Sequence, residues 1–405
     1  MPPVSAEVHA DGMTTSTASS QPRPGQARER LFTPAFIGLT VADLAYFTAV
    51  GMSILLLPLY VTGPVGSGTA GAGIAFGAFA VSALVLRPLA GRLTDQLGRR
   101  PLLLTGAALC ALCMIATAYV DALAAVVGIR LLLGVAEAAF VVASFAALAD
   151  LAPQSRLGEA LSYNSLGLYL GITVGPFLGD FLVSRWGFMI GWYGAAGLAL
   201  LAVLVIVYIG ETQIDRTLPR RRGGLIHVKA IPPALGFFAS VVAMGAFLAF
   251  AALHADEVGM GRTGTPLVVY GSVVVVGRIV FAQAHDRFPP LALGAASMLG
   301  IASGLAVIAL WSTPAGVVLG AGVLALGVTF STPAFFSAIF ATARASERGA
   351  ASGTASMFLD LGLGGGPILL GLVASAAGIP WAFGVAAMVA LAGGVWTVSL
   401  RSPHA

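Results

Sequence analysis

Gly171-Ile-Thr-Val-Gly-Pro176 and, 191 residues further on, Gly362-Leu-Gly-Gly-Gly-Pro367 share one Gly-x-x-x-Gly-Pro pattern, and each is followed by a further matching glycine, Gly187 and Gly378. Arg87 and Asp95 recur at the same offset as Arg278 and Asp286. Six pairs at one spacing in a chain of 405 residues mark an internal duplication at about half the length. The surrounding sequence is apolar: hydrophobic residues make up 58% of the chain and charged residues 9%, against roughly 25% charged in an average soluble domain. The apolar runs are continuous and about 20 residues long, which suits helices crossing a hydrocarbon core of about 30 Å and not the alternating strands of a barrel. These features predict an all-α integral membrane protein with twelve transmembrane helices in two pseudo-symmetric six-helix bundles. An axis along the membrane normal would relate the bundles and leave a cavity between them.

Residues 1–31 are rich in Ser, Thr, Pro and charge and lack the apolar centre of a signal peptide, so they read as a disordered cytosolic tail. Apolar spans are expected to begin near Phe32, Gly71, Pro101, Leu123, Gly158 and Met189, and again near Pro233, Thr265, Pro290, Pro314, Gly349 and Pro380. That gives an N-terminal bundle over 32–210, a cytosolic linker over 211–232 and a C-terminal bundle over 233–401. With both termini cytosolic, the basic residues at 92, 99, 100, 156, 216, 220, 221, 222, 229, 287, 344 and 348 all fall on the cytosolic side. Arg185 and Arg262 fall opposite. Topology therefore accounts for the net charge of +4 better than nucleic-acid binding does. Cys110 and Cys113, inside an apolar run and without a second ligand pair, read as packing thiols. The heavy use of Arg, Ala and Gly beside a single Lys points to a bacterial source and its plasma membrane.

The second span ends in Arg87-Pro-Leu-Ala-Gly91-Arg-Leu-Thr-Asp95-Gln-Leu-Gly98-Arg99-Arg100. It closely resembles the loop motif of the major facilitator superfamily, G-x-x-x-D-x-x-G-R-[KR]. The resemblance implies close helix contact at Gly91 and a gate at Asp95, whose carboxylate would face the N-terminus of the helix starting near Gly349. The second copy, Arg278 to Asp286, departs from the pattern with Ala282 and Pro289 at the glycine positions. Gly167, Gly171, Gly175, Pro176 and Gly179 resemble the antiporter motif of the same superfamily. Glycines every fourth residue make a smooth helix face, and Pro176 removes a backbone bond and can kink the helix. The alternative is plain small-residue packing. Arg130-x-x-x-Gly134-x-x-Glu137 resembles a third superfamily motif, linked to proton movement, and its three residues project at about 0, 40 and −20 degrees on one helix face.

Ionised groups inside a bilayer cost at least about 2.5 kcal/mol and usually face a cavity or a partner. Asp43, Arg130, Glu137 and Asp360 are four such residues. The resemblance places Asp43 and Glu137 near one another, within about one turn in depth, where two carboxylates could exchange a coupling proton with Arg130 biasing their charge. A permanent Arg130–Glu137 pair is the structural alternative. Tyr46, Phe47, Asn164, Phe237 and Tyr270 are candidate cavity residues. Amides are scarce, Asn164 being the only Asn, so a sugar or peptide site is poorly supported. The expected function is proton-coupled efflux of a small lipophilic or amphiphilic compound, cations included, by a monomer that needs no cofactor and no metal. A proton-coupled importer of a nutrient or organic acid is the rival. Enzyme chemistry is not expected: neither a nucleotide loop, H-E-x-x-H nor a nucleophile elbow is present.

Overall fold

A computed structural model describes residues 31–153, 157–212, 227–281, 288–343 and 348–400, with only the backbone described for 157–166 and 348–350. The expected tail and most of the expected linker therefore lie outside the described residues. The helices are α1 (Pro34–Thr62), α2 (Thr69–Leu97), α3 (Arg99–Thr117), α4 (Leu123–Leu151), α5 (Leu157–Tyr208), α6 (Ile231–Glu257), α7 (Thr265–Val280), α8 (Pro290–Leu310), α9 (Pro314–Ala341), α10 (Arg348–Ala377) and α11 (Ile379–Ser399). Ten of these are long and apolar enough to cross a bilayer, and α7 is a shorter apolar helix.

The starts follow from local chemistry. Proline occupies the first turn of α1, α6, α7, α8, α9 and α11, where its missing N–H costs nothing. Thr33 and Thr313 cap α1 and α9 by accepting hydrogen bonds from Phe36 N and Gly316 N. The 52-residue α5 is broken at Gly187, whose φ of 82° only glycine adopts readily. Gly378, its partner in the repeat, has φ 99° and separates α10 from α11. The duplication is thus visible in backbone conformation as well as in sequence.

Two helices are central: 83% of the apolar window of α1 and of α6 is buried, against 39–56% in the other spans. The outer helices leave Leu204, Leu369, Met388 and Val395 exposed, as lipid-facing residues must be. Glycines set the closest approaches. A Cβ at Gly171 would lie 2.8 Å from the Phe47 carbonyl carbon on α1, and one at Gly175 would lie 2.6 Å from that of Gly51. The second half repeats this packing, Gly362 lying against Phe238 and Val241 and Gly366 against Val242 of α6. The antiporter-like glycines are therefore the packing face of α5 against α1.

Candidate functional site

Two seams join the first half of the chain to the second, and they repeat each other. In the seam between α2 and α10, Gly73 faces Gly371 and Ala80 faces Gly364; a Cβ at Gly73 would come within 3.1 Å of Gly371, and one at Gly364 within 3.0 Å of Ala80. Between α7 and α5, Gly264 faces Asp180 and Gly271 faces Thr173, at 3.1 and 2.7 Å by the same measure. Each residue of the second seam stands 191 positions from its counterpart in the first. Seven residues beyond the second rung, each seam carries an arginine. Arg87 donates from Nε and Nη2 to the two carboxylate oxygens of Asp360, at 2.6 and 2.8 Å. Arg278 donates from Nη2 to the Tyr169 hydroxyl at 2.7 Å, and its guanidinium lies 3.8 Å from the centre of that ring. Asp360 was legible as a buried charge; its partnership with Arg87 was not.

The loop motif builds a clamp at one end of the first half. Gly98, with φ 104°, turns the chain from α2 into α3. Arg99 then donates from Nε to Asp150 at the end of α4 (2.8 Å) and from Nη1 to the Thr94 carbonyl (3.2 Å), with Asp95 3.7 Å away. Arg100 reaches the Val207 carbonyl at the end of α5. Glu211, not singled out from sequence, accepts hydrogen bonds from the backbone N–H groups of Arg99 (2.9 Å) and Arg100 (3.2 Å) and so caps α3. At Gly91, where close helix contact is expected, a Cβ would meet nothing within 4 Å among the described residues. The side chains at the start of α10, the expected seat for Asp95, lie outside the described residues, as do Asp286 and the side chain of Asn164.

Inside the first half, Asp43 is fully buried, and both carboxylate oxygens lie within reach of the Ser144 hydroxyl on α4, at 2.9 and 2.7 Å. One hydroxyl carries one hydrogen, so among the described side chains the two oxygens share a single donor. Ser144 is seven residues from Glu137, about 10.5 Å along the helix. The structure therefore does not bring Asp43 and Glu137 to one depth, a correction to the expected pairing. Arg130 does not pair with Glu137 either. It donates to the Ala75 and Phe76 carbonyls of α2 and lies over the Phe79 ring at 4.9 Å. Glu137 makes no hydrogen bond or ion pair with the described residues; Arg87, Asp360 and Arg130 are the charges that act on it.

The candidate cavity aromatics are packed in the interior. Tyr46 stacks on Phe140 at 3.8 Å, with Phe47 edge-on to both, Phe237 packs against Phe335 and Phe336, and Tyr270 against Phe247. All four candidates with described side chains are buried. A space of about 410 Å³ lies elsewhere, on the outer face between α8 and α11, lined only by Ala, Leu, Gly and Val. His254 is buried beside Phe383. Among the described residues no cluster could hold a metal ion.

Many apolar helices, a duplicated pair of seams and buried charges at those seams define a multi-pass membrane protein of the transporter class. The Major Facilitator Superfamily profile matches residues 39–363, and the chain belongs to that superfamily. It is 26% identical over 385 residues to an uncharacterised MFS-type transporter of Salmonella typhimurium, covering 90% of this chain and 96% of the relative. It is 28% identical over 401 residues to one of Burkholderia mallei, covering 94% and 95%. Among solved structures, a variant of the nucleoside transporter NupG superposes with a TM-score of 0.75 at 15% identity, over 91% of this chain and all of that one. The human organic anion transporter MFSD10 gives 0.69 at 18% identity, over 90% and 99%. Those likenesses concern the fold. The protein is a transporter and not an enzyme.

Proposed function

We propose that the chain exports a small amphiphilic organic compound in exchange for protons, by alternating access of two six-helix bundles. Counting the two segments of α5 separately, as the matched glycines Gly187 and Gly378 suggest, gives twelve spans in halves of 32–210 and 233–401, with both termini cytosolic and the plasma membrane as the site. The observation that carries the reading is the Arg87–Asp360 pair, which ties α2 to α10 directly across the two halves. Any motion that parts this seam must break the pair or move it as a unit. A proton on Asp360 removes the charge that Arg87 grips, and that links proton entry to seam opening. Glu137, within range of the pair and without a partner of its own among the described residues, and Asp43, held among the described side chains by Ser144, are the further carboxylates that carry protons inward. Each proton entering supplies about 2.3 kcal/mol per 100 mV, enough for roughly fiftyfold accumulation.

The test uses inverted membrane vesicles energised to acidify their lumen. Addition of amphiphilic compounds is expected to release protons with the wild type, and release should fall at least about tenfold in Asp43→Asn, Glu137→Gln or Asp360→Asn. Substrate-driven alkalinisation outside right-side-out cells, with no release from inverted vesicles, would make the protein an importer instead.

A further inference from the structure

Arg87 and Arg278 occupy equivalent places in the two seams, and their partners are equivalent too, since Asp360 and Tyr169 also stand 191 residues apart. The partners differ in charge. Arg87 has a bidentate carboxylate. Arg278 has a phenol, which takes one hydrogen bond and offers a ring face but no negative charge. Among the described residues no carboxylate lies within 4 Å of it and its buried Nε has no acceptor. A guanidinium keeps its charge in a protein and presents a planar fork of donors that fits a carboxylate. Within a membrane helix such a cation is met by a counter-charge or, as at Arg130, by backbone carbonyls and a ring; Arg278 has the ring and one phenol hydrogen bond among the described residues. Arg278 is half-buried and so can be reached from one side, and the exposed Ile279 and Val280 that follow it on the same helix supply apolar surface next to it.

We infer that Arg278, oriented by Tyr169, binds the anionic head of the transported compound: the carboxylate that Asp360 gives Arg87 is given to Arg278 by the cargo. The inference rests on the transport reading above and narrows its substrate to organic anions with an apolar body. It also replaces the cationic option with its opposite.

The experiment measures binding to the purified full-length protein in neutral detergent. The probes are octanoate, 4-phenylbutyrate and 1-naphthylacetate, each beside its neutral amide, with phosphatidylglycerol as the competing source of negative charge. At least one carboxylate is expected to bind about tenfold or more tightly than its amide. Arg278→Gln should erase that preference while Arg278→Lys keeps part of it. Tyr169→Phe should keep it, because the ring remains. Tyr169→Asp should abolish it, because Arg278 would then hold a built-in carboxylate. Equal binding of acid and amide, a preference that survives Arg278→Gln or Tyr169→Asp, or occupation of Arg278 by phosphatidylglycerol alone would overturn the assignment. Proton release from inverted vesicles separates the two readings. Release by the amides but not the acids keeps proton-coupled transport and sinks the anion site. Carboxylate binding through Arg278 without proton release keeps the site and sinks the coupling.

Discussion

Removing one carboxylate from the seam between α2 and α10 isolates a guanidinium that is 19% exposed. Asp360→Asn is therefore expected to lower unfolding stability in micelles by about 3 kcal/mol, whereas the joint replacement Arg87→Met with Asp360→Leu should recover most of the loss. Denaturant titration of the wild type, Asp360→Asn and the double variant checks this; equal stability of all three proteins would refute it. Ser144→Ala should cost about 1 to 3 kcal/mol, since fully buried Asp43 then keeps no side-chain donor among the described residues. The charges themselves were readable, because Asp43, Arg130, Glu137 and Asp360 stand out in apolar runs. Their partners were not. Ser144 and Tyr169 are ordinary polar residues that acquire a role only once the helices beside them are known. The repeat was legible where both copies kept the same residue, and it hid the 169/360 pair because the residue types differ.

Helix α3 begins without a side-chain cap of its own, and Glu211 supplies one from the far end of α5. Glu211→Gln is expected to lower stability by about 1 kcal/mol through loss of the charge at a helix N-terminus, read as a drop in thermal midpoint. The glycines of α5 should differ sharply among themselves. Gly175→Leu would drive carbon into backbone atoms of Thr48, Gly51 and Met52 and should abolish folded expression, while Gly179→Ala, whose nearest neighbour lies 3.4 Å away, should be nearly neutral. Size-exclusion profiles of the two variants give the comparison. Helix starts were well marked by proline and glycine, and eleven of the twelve expected starts fall within two residues of an observed one, whereas the start expected near Met189 falls inside α5. The depth of a residue within its span was harder to read: Glu137 and Ser144 lie on one helix, and only the contact with Asp43 reveals which of them meets α1.

Gly73 and Gly371 bring α2 and α10 into near backbone contact. A disulfide between Ala80→Cys and Gly364→Cys in the same seam, whose Cβ atoms would stand 3.0 Å apart and need only a fraction of an ångström more, in a background with Cys110 and Cys113 changed to Ala, is expected to form. It should stop transport and release it again on reduction; undiminished transport by the oxidised protein would show that this seam need not part. The duplication itself was plain from six matched residues, whereas the two seams, which set which helices meet across the halves, needed the three-dimensional arrangement. Their unequal arginine partners have one more consequence. Under strict twofold symmetry neither seam could be preferred, and both would yield together or not at all. Here one is closed by an ion pair and the other by a phenol, so the symmetry is broken where the seams are held. Opening then has an order in time: spin labels across α5 and α7 should report separation before labels across α2 and α10 do.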